Sequence, residues 1–79
     1  MTITAKAKVV GLPPSGYGRV RVAWTDTAGR KHTRHVGYSY WTRTRLLDSV
    51  ALAMGVSPED VTSTDVMDAS NYELFTVSI

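Results

Sequence analysis

Apolar and polar residues alternate with a period of two through most of the first half of the chain, and that period defines strands. Ile3, Ala5, Ala7 and Val9 fall on one side of a first strand, with Thr4, Lys6, Lys8 and Val10 on the other. In Gly18 to Thr25 the alternation is strict: Val20, Val22 and Trp24 face one way, Arg19, Arg21, Ala23 and Thr25 the other. Asp26-Thr27-Ala28-Gly29 then fits a type I turn, with the Asp26 side chain on the turn backbone and Gly29 in the left-handed conformation of a G1 bulge. Such a turn pairs Asp26 with Arg30, and the register follows by counting back. Trp24 should oppose His32, Val22 Arg34, Val20 Val36 and Gly18 Tyr38. On the other face Thr25 should oppose Lys31, Ala23 Thr33, Arg21 His35 and Arg19 Gly37. One face is then valine and aromatic, and the other carries Arg19, Arg21, Lys31 and His35. An antiparallel first strand would add Lys6 and Lys8 to that cationic face. A slip of one residue would exchange the faces, so burial of Val20, Val22 and Val36 holds this register.

The period changes after Tyr40. Leu46, Leu47, Val50, Ala53 and Met54 form an apolar stripe at helical spacing. Thr42 reads as the N-cap and Gly55 as the C′ residue of a helix over about 42–54, with Trp41 and Leu46 as a hydrophobic staple. Arg43 and Arg45 in the first turn would run against the macrodipole, which either a bound anion or plain solvation would relieve. Ser57-Pro58-Glu59-Asp60 reads as a second helix start about one turn long. Thr62 to Ser70 fits either a short strand or a loop. Tyr72 to Ile79 reads as a terminal strand, with Phe75, Val77 and Ile79 on one face and Tyr72, Leu74 and Thr76 on the other. The expected architecture is α+β: a small antiparallel sheet in the order β-β-β-α-short α-β, with one main helix on one face. The expected core is Val20, Val22, Trp24, Val36, Leu46, Val50, Met54, Phe75 and Val77. The Gly-Pro-rich stretch from Gly11 to Gly18 leads into a strand, so it is a connector with Tyr17 at its tip and not a phosphate-cradling loop.

Length and composition narrow this further. The 79 residues make one domain, and a chain this short buries only about 60 % of its unfolded surface. With no cysteine there is no disulfide and no cysteine-ligated zinc, as in a reducing cytoplasm. No apolar run approaches the roughly 20 residues of a membrane span and no signal-peptide core is present, so a cytoplasmic protein is expected. Charge is divided unevenly. Residues 1–45 hold all nine Lys and Arg and the single acid Asp26, a net +8; residues 46–79 hold six acids and no Lys or Arg, a net −6. This points to an anionic partner for the first half, or to mutual neutralisation of the halves across the fold.

Candidate chemistry changes the picture less. His32 and His35 lie three apart on a strand and so point to opposite faces, without further ligands to complete a metal site. No nucleophile, base and oxyanion site assemble, so neither an enzyme nor a cofactor is expected.

The run Arg19-Val20-Arg21-Val22, Asp26, Gly29-Arg30 and Arg34, followed by a helix, resembles the arm-type, AP2-like DNA-binding domain of tyrosine recombinases over roughly residues 2–55. The resemblance implies a three-stranded sheet backed by one helix and laid in the major groove of DNA; residues 56–79 have no counterpart in it. Size and composition also resemble the small accessory proteins of bacteriophages and mobile elements, including inhibitors of host defence proteins. Two functions are therefore expected as alternatives. One is duplex DNA binding through Lys6, Lys8, Arg19, Arg21, Arg30, Lys31 and His35, bordered by Arg43 and Arg45. The other is binding to a host protein through Tyr17, Tyr38, Tyr40, Trp41, Asp60, Asp65 and Asp68. Self-association would join the basic half to the acidic half, or pair the exposed last strand edge to edge.

Overall fold

The computed structural model describes residues 1–11, 17–39 and 45–79, with Tyr17 by its backbone alone. The strands are β1 (Thr2–Val10), β2 (Tyr17–Thr25), β3 (Lys31–Ser39), β4 (Val61–Met67) and β5 (Glu73–Ser78). They form one antiparallel sheet in the order β3-β2-β1-β5-β4, with β1 at its centre. The helix α1 (Leu46–Met54) and a single 3-10 turn (Pro58–Asp60) connect β3 to β4. This is the α+β sheet with one main helix that the periodicity predicts, enlarged by β4.

The β2–β3 hairpin has the predicted register throughout, from Tyr17 opposite Ser39 to Thr25 opposite Lys31. Its turn explains why. The Gly29 N–H donates to the Asp26 carbonyl at 3.0 Å, and the Asp26 N–H donates to the Arg30 carbonyl at 2.9 Å. Asp26 Oδ1 accepts from the N–H groups of Ala28 and Arg30, both at 2.9 Å. Gly29 takes φ +83, where an L side chain is strained.

Phe75, Val20, Val22, Val50 and Val77 are fully buried. Each contributes about 1.5–3 kcal/mol by leaving water. Trp24, Val36, Leu46 and Met54 pack against them half-exposed, as the rim of the same core. Ala5, Ala7, Ala51 and Ala53 join the buried set; small side chains at a helix–sheet contact permit close approach. α1 packs on β1, β2, β3 and β4, and Leu52, off the apolar stripe, is exposed.

Two expectations are corrected. The helix begins at Leu46 with Arg45 as N-cap, at φ −86 and ψ 141, not at Thr42. Thr42 itself, with Tyr40, Trp41 and Arg43, lies outside the described residues. Charge accounts for the later start. A helix from Thr42 would place Arg43 and Arg45 in its positive first turn, whereas a helix from Leu46 places Asp48 there and leaves Arg45 outside to pair with it. Leu46 is thus the first helical residue rather than the fourth, and Trp41, the other half of the predicted staple, lies outside the described residues. The last strand, second, is not exposed: β5 lies between β1 and β4, and the edges of the sheet are β3 and β4. Edge-to-edge pairing through β5 is therefore closed. Ile79, read on the face of Phe75 and Val77 but outside the expected core, is 53 % exposed, since it follows the last residue of β5.

Candidate nucleic-acid interface

The helix covers one face of the sheet, and pairing determines what is left on the other. Lys8 lies directly across from Arg21 on β2, and Arg21 directly across from His35 on β3. In the next row Leu74, Lys6, Ala23 and Thr33 align across four strands. Arg19 and Lys31 occupy the same face at opposite ends of the hairpin. The six predicted side chains Lys6, Lys8, Arg19, Arg21, Lys31 and His35 therefore share one face, away from α1.

Sequence reasoning missed the residue at the centre of this cluster. Tyr72, just before β5, is only 9 % exposed. The Lys6 and Lys8 ammonium groups sit 4.7 Å and 4.9 Å from its ring centroid, a cation–π arrangement. Arg21 Nη1 donates to the Tyr72 hydroxyl at 3.5 Å, and Arg21 Nε donates to His35 Nε2 at 3.2 Å. Lys8 Nζ also donates to the Ser70 carbonyl at 3.4 Å. Lys6, Lys8 and Arg21 are half-buried, while Arg19, Lys31 and His35 are exposed. Beside the cluster lies a depression of about 360 Å³ between Lys6 and Lys31, lined by Ala23 and Leu74 and by the hydroxyls of Thr4, Thr25 and Thr33.

The turn just before β5 was legible in the sequence, though not the partner strand that brings Tyr72 to Lys6 and Lys8. Asp68-Ala69-Ser70-Asn71-Tyr72 repeats the chemistry of Asp26-Thr27-Ala28-Gly29-Arg30. Asp68 Oδ1 accepts from the N–H groups of Ser70 and Tyr72 at 2.9 and 3.0 Å. Asn71, at φ +65, stands where Gly29 stands. The Asp68 N–H donates to the Tyr72 carbonyl at 2.9 Å. Read as a second hairpin turn, this stretch makes 61–67 a strand and starts β5 beyond Tyr72.

Acids are absent from the cluster. Among the described residues the ion pairs are His32 with Asp26 at 2.8 Å and Arg45 with Asp48 at 3.1 Å. None of the six cationic-face side chains takes part in either. Among the described residues, ion pairing between the basic and acidic halves is thus confined to the neighbours Arg45 and Asp48, whose hydrogen bond raises the Arg45 pKa. Arg45, expected to border the cationic face, lies exposed at the start of α1 and is engaged with Asp48. Arg30 lies exposed at the hairpin turn.

The alternative, protein-binding set is dispersed. Tyr38 is half-buried against the core. Asp60 ends the 3-10 turn, and Asp65 takes φ +57 within β4, both exposed. Asp68 is committed to its turn. Tyr40, Trp41 and the Tyr17 side chain lie outside the described residues. The two histidines are on opposite faces, as expected. His32 stacks on Trp24 with ring centroids 5.1 Å apart, and His35 meets Arg21. Among the described residues no three His, Asp or Glu side chains gather as metal ligands, and no helix is long and apolar enough to cross a membrane. Comparison with family models, with characterised proteins and with solved structures finds no match for this chain.

Proposed function

We propose that the chain is a non-enzymatic binding module that takes duplex nucleic acid on the uncovered face of its sheet. The supporting observation is the convergence of Lys6, Lys8, Arg19, Arg21, Lys31 and His35 on that face with no acid in ion-pair contact. Lys8 and Arg21 are directly opposed across two strands, a like-charge pair that costs the folded state. A polyanion offsets that cost and converts it into affinity. Strands enter the major groove, where arginine meets guanine edges and phosphates. Among the described residues the Tyr72 ring in the cluster is covered by lysines, so a duplex backbone suits the face better than stacked single-stranded bases. The resemblance to the arm-type recombinase domain supports the same use of β1 to β3. If about five cations neutralise phosphates, log K falls with log salt at a slope of about −4 to −5. A salt titration of duplex binding, with heparin retention beside it, tests the reading. Neither binding nor retention at low salt would remove it.

A second reading, a module that binds a host protein, is favoured by one feature. The edge strand β4 exposes Val66 and Met67 to 51 % and 59 %, and an exposed edge accepts an added strand. Capture of a protein from nuclease-treated host lysate, lost on Val66→Lys with Met67→Lys, would favour it over the first.

A further inference from the structure

We propose that Lys6 and Lys8 over the ring of Tyr72, and Arg21 on its hydroxyl and braced by His35, form one discrete oxyanion site that holds a single phosphodiester of the duplex and so fixes its register on the sheet. This rests on the duplex-binding reading above and divides the cationic face into an ordered centre and a loose rim.

Long basic side chains on an open sheet normally spread into water and lose rotamer freedom when they meet a ligand. Here the ordering precedes the ligand. Lys6 and Lys8, two apart on β1, both fold over one ring, 4.7 Å and 4.9 Å from its centroid. Arg21 is held from two sides, by His35 Nε2 at 3.2 Å and the Tyr72 hydroxyl at 3.5 Å. Those contacts use two of its N–H groups and leave the others for an oxyanion, which a guanidinium meets in a planar fork. His35 accepts from Arg21 through Nε2, so that nitrogen carries the lone pair and the ring works as a brace for Arg21. The two ammonium groups on the Tyr72 ring and the guanidinium on its hydroxyl are gathered about one side chain with no acid in ion-pair contact, and a phosphate oxyanion is the kind of charge that such a set attracts. Arg19 and Lys31 lack all of these contacts and are exposed; they supply general attraction along the strand.

The test compares equal charge removed from centre and rim. Binding of a fluorescein-labelled duplex of about 20 base pairs is read by anisotropy at fixed salt. Lys6→Gln with Lys8→Gln should weaken binding about tenfold more than Arg19→Gln with Lys31→Gln, since only the first pair is ordered before binding. Tyr72→Phe keeps the ring and the fold while releasing Arg21, and should weaken binding about threefold with no change of charge. In the parent, inorganic phosphate should shift the Tyr72 and His35 ring proton resonances saturably. Equal losses from the two lysine/arginine pairs, with no phosphate shift, would overturn the site and leave a diffuse duplex-binding face intact. Failure of the parent to bind any duplex at low salt would remove the functional reading. The site is then decided by phosphate alone: a saturable shift retains it, and no shift overturns it.

Discussion

The molecule contains two hairpins with the same turn and opposite contents. In β2–β3 and in β4–β5 an aspartate opens the turn and accepts two backbone N–H bonds, and the fourth residue takes a positive φ: Gly29 in one, Asn71 in the other. β2–β3 is regular over its whole length and carries Arg19, Arg21, Lys31 and His35 on its uncovered face. β4–β5 slips register between Ser63 and Met67 and bears no lysine or arginine. Identical turn chemistry has thus built a flat cationic platform on one side of β1 and a bent edge on the other. The turn sets that a hairpin forms; the residues between turns set what it is for.

The comparison can be broken at several levels. The largest effect should come from α1, which covers both hairpins. Val50 is fully buried, and Val50→Asp leaves an unpaired carboxylate costing several kcal/mol, comparable with the whole stability of so small a domain. Loss of the cooperative thermal transition is expected. A near-parental melt would mean that the helix does not join the two halves of the sheet.

Next in size is the contrast in charge. Arg19→Glu with Arg21→Glu should abolish duplex binding at moderate salt, while the melting temperature moves by only a few degrees, because neither side chain is ion-paired to an acid. A large fall in stability with binding retained would show instead that the arginines serve the fold.

The turns themselves separate by a smaller margin. Gly29→Ala, at φ +83, should cost about 1 kcal/mol, or about 4–8 °C in a domain of this size. Asn71→Gly, at φ +65, should stay within about 0.5 kcal/mol of the parent, since asparagine already tolerates this conformation. Thermal melts of the two variants decide it.

These same turns mark where the sequence was readable. Strict alternation from Gly18 to Thr25, with the turn at Asp26–Gly29 to count back from, gave the register of β2–β3 residue by residue. Val61 to Met67 has no such alternation: Val61 is buried, Ser63 half-buried, and a positive φ at Asp65 breaks the strand. Without β4, the terminal strand looked like an edge. The helix start misled for another reason. Thr42 is the better cap by residue type, but the helix that starts at Leu46 has Asp48 in its first turn in place of Arg43 and Arg45. The cationic set on the strands was legible because side-chain direction in a strand is fixed by parity. Tyr72 was not, because parity shows which side chains share a face within β5 but not which face of β1 they join. That needed the β1–β5 pairing.

The smallest expected effect is one of pH. The carboxyl of Asp26 is held below its ordinary range, chiefly by its hydrogen bond with His32, then by the backbone N–H of Arg30. A carboxylate whose folded pKa is depressed stabilises the fold above its unfolded pKa, and that contribution is lost as pH falls through the folded value. The bonds Asp26 makes should therefore be intact from neutral pH down to about 4 and fade below it. The turn and the Trp24–His32 stack both depend on this side chain, since His32 is in contact with Asp26 and Trp24 alike. Asp26→Asn keeps the acceptor oxygen for the turn and removes the titration. Below pH 4 its melting temperature should fall less steeply than the parent's, with near-parental stability at neutral pH. Parallel slopes for the two proteins would mean that Asp26 acts on this hairpin as a neutral turn former, through its backbone-accepting oxygen alone, the role that Asp68 Oδ1 has at the turn of the other.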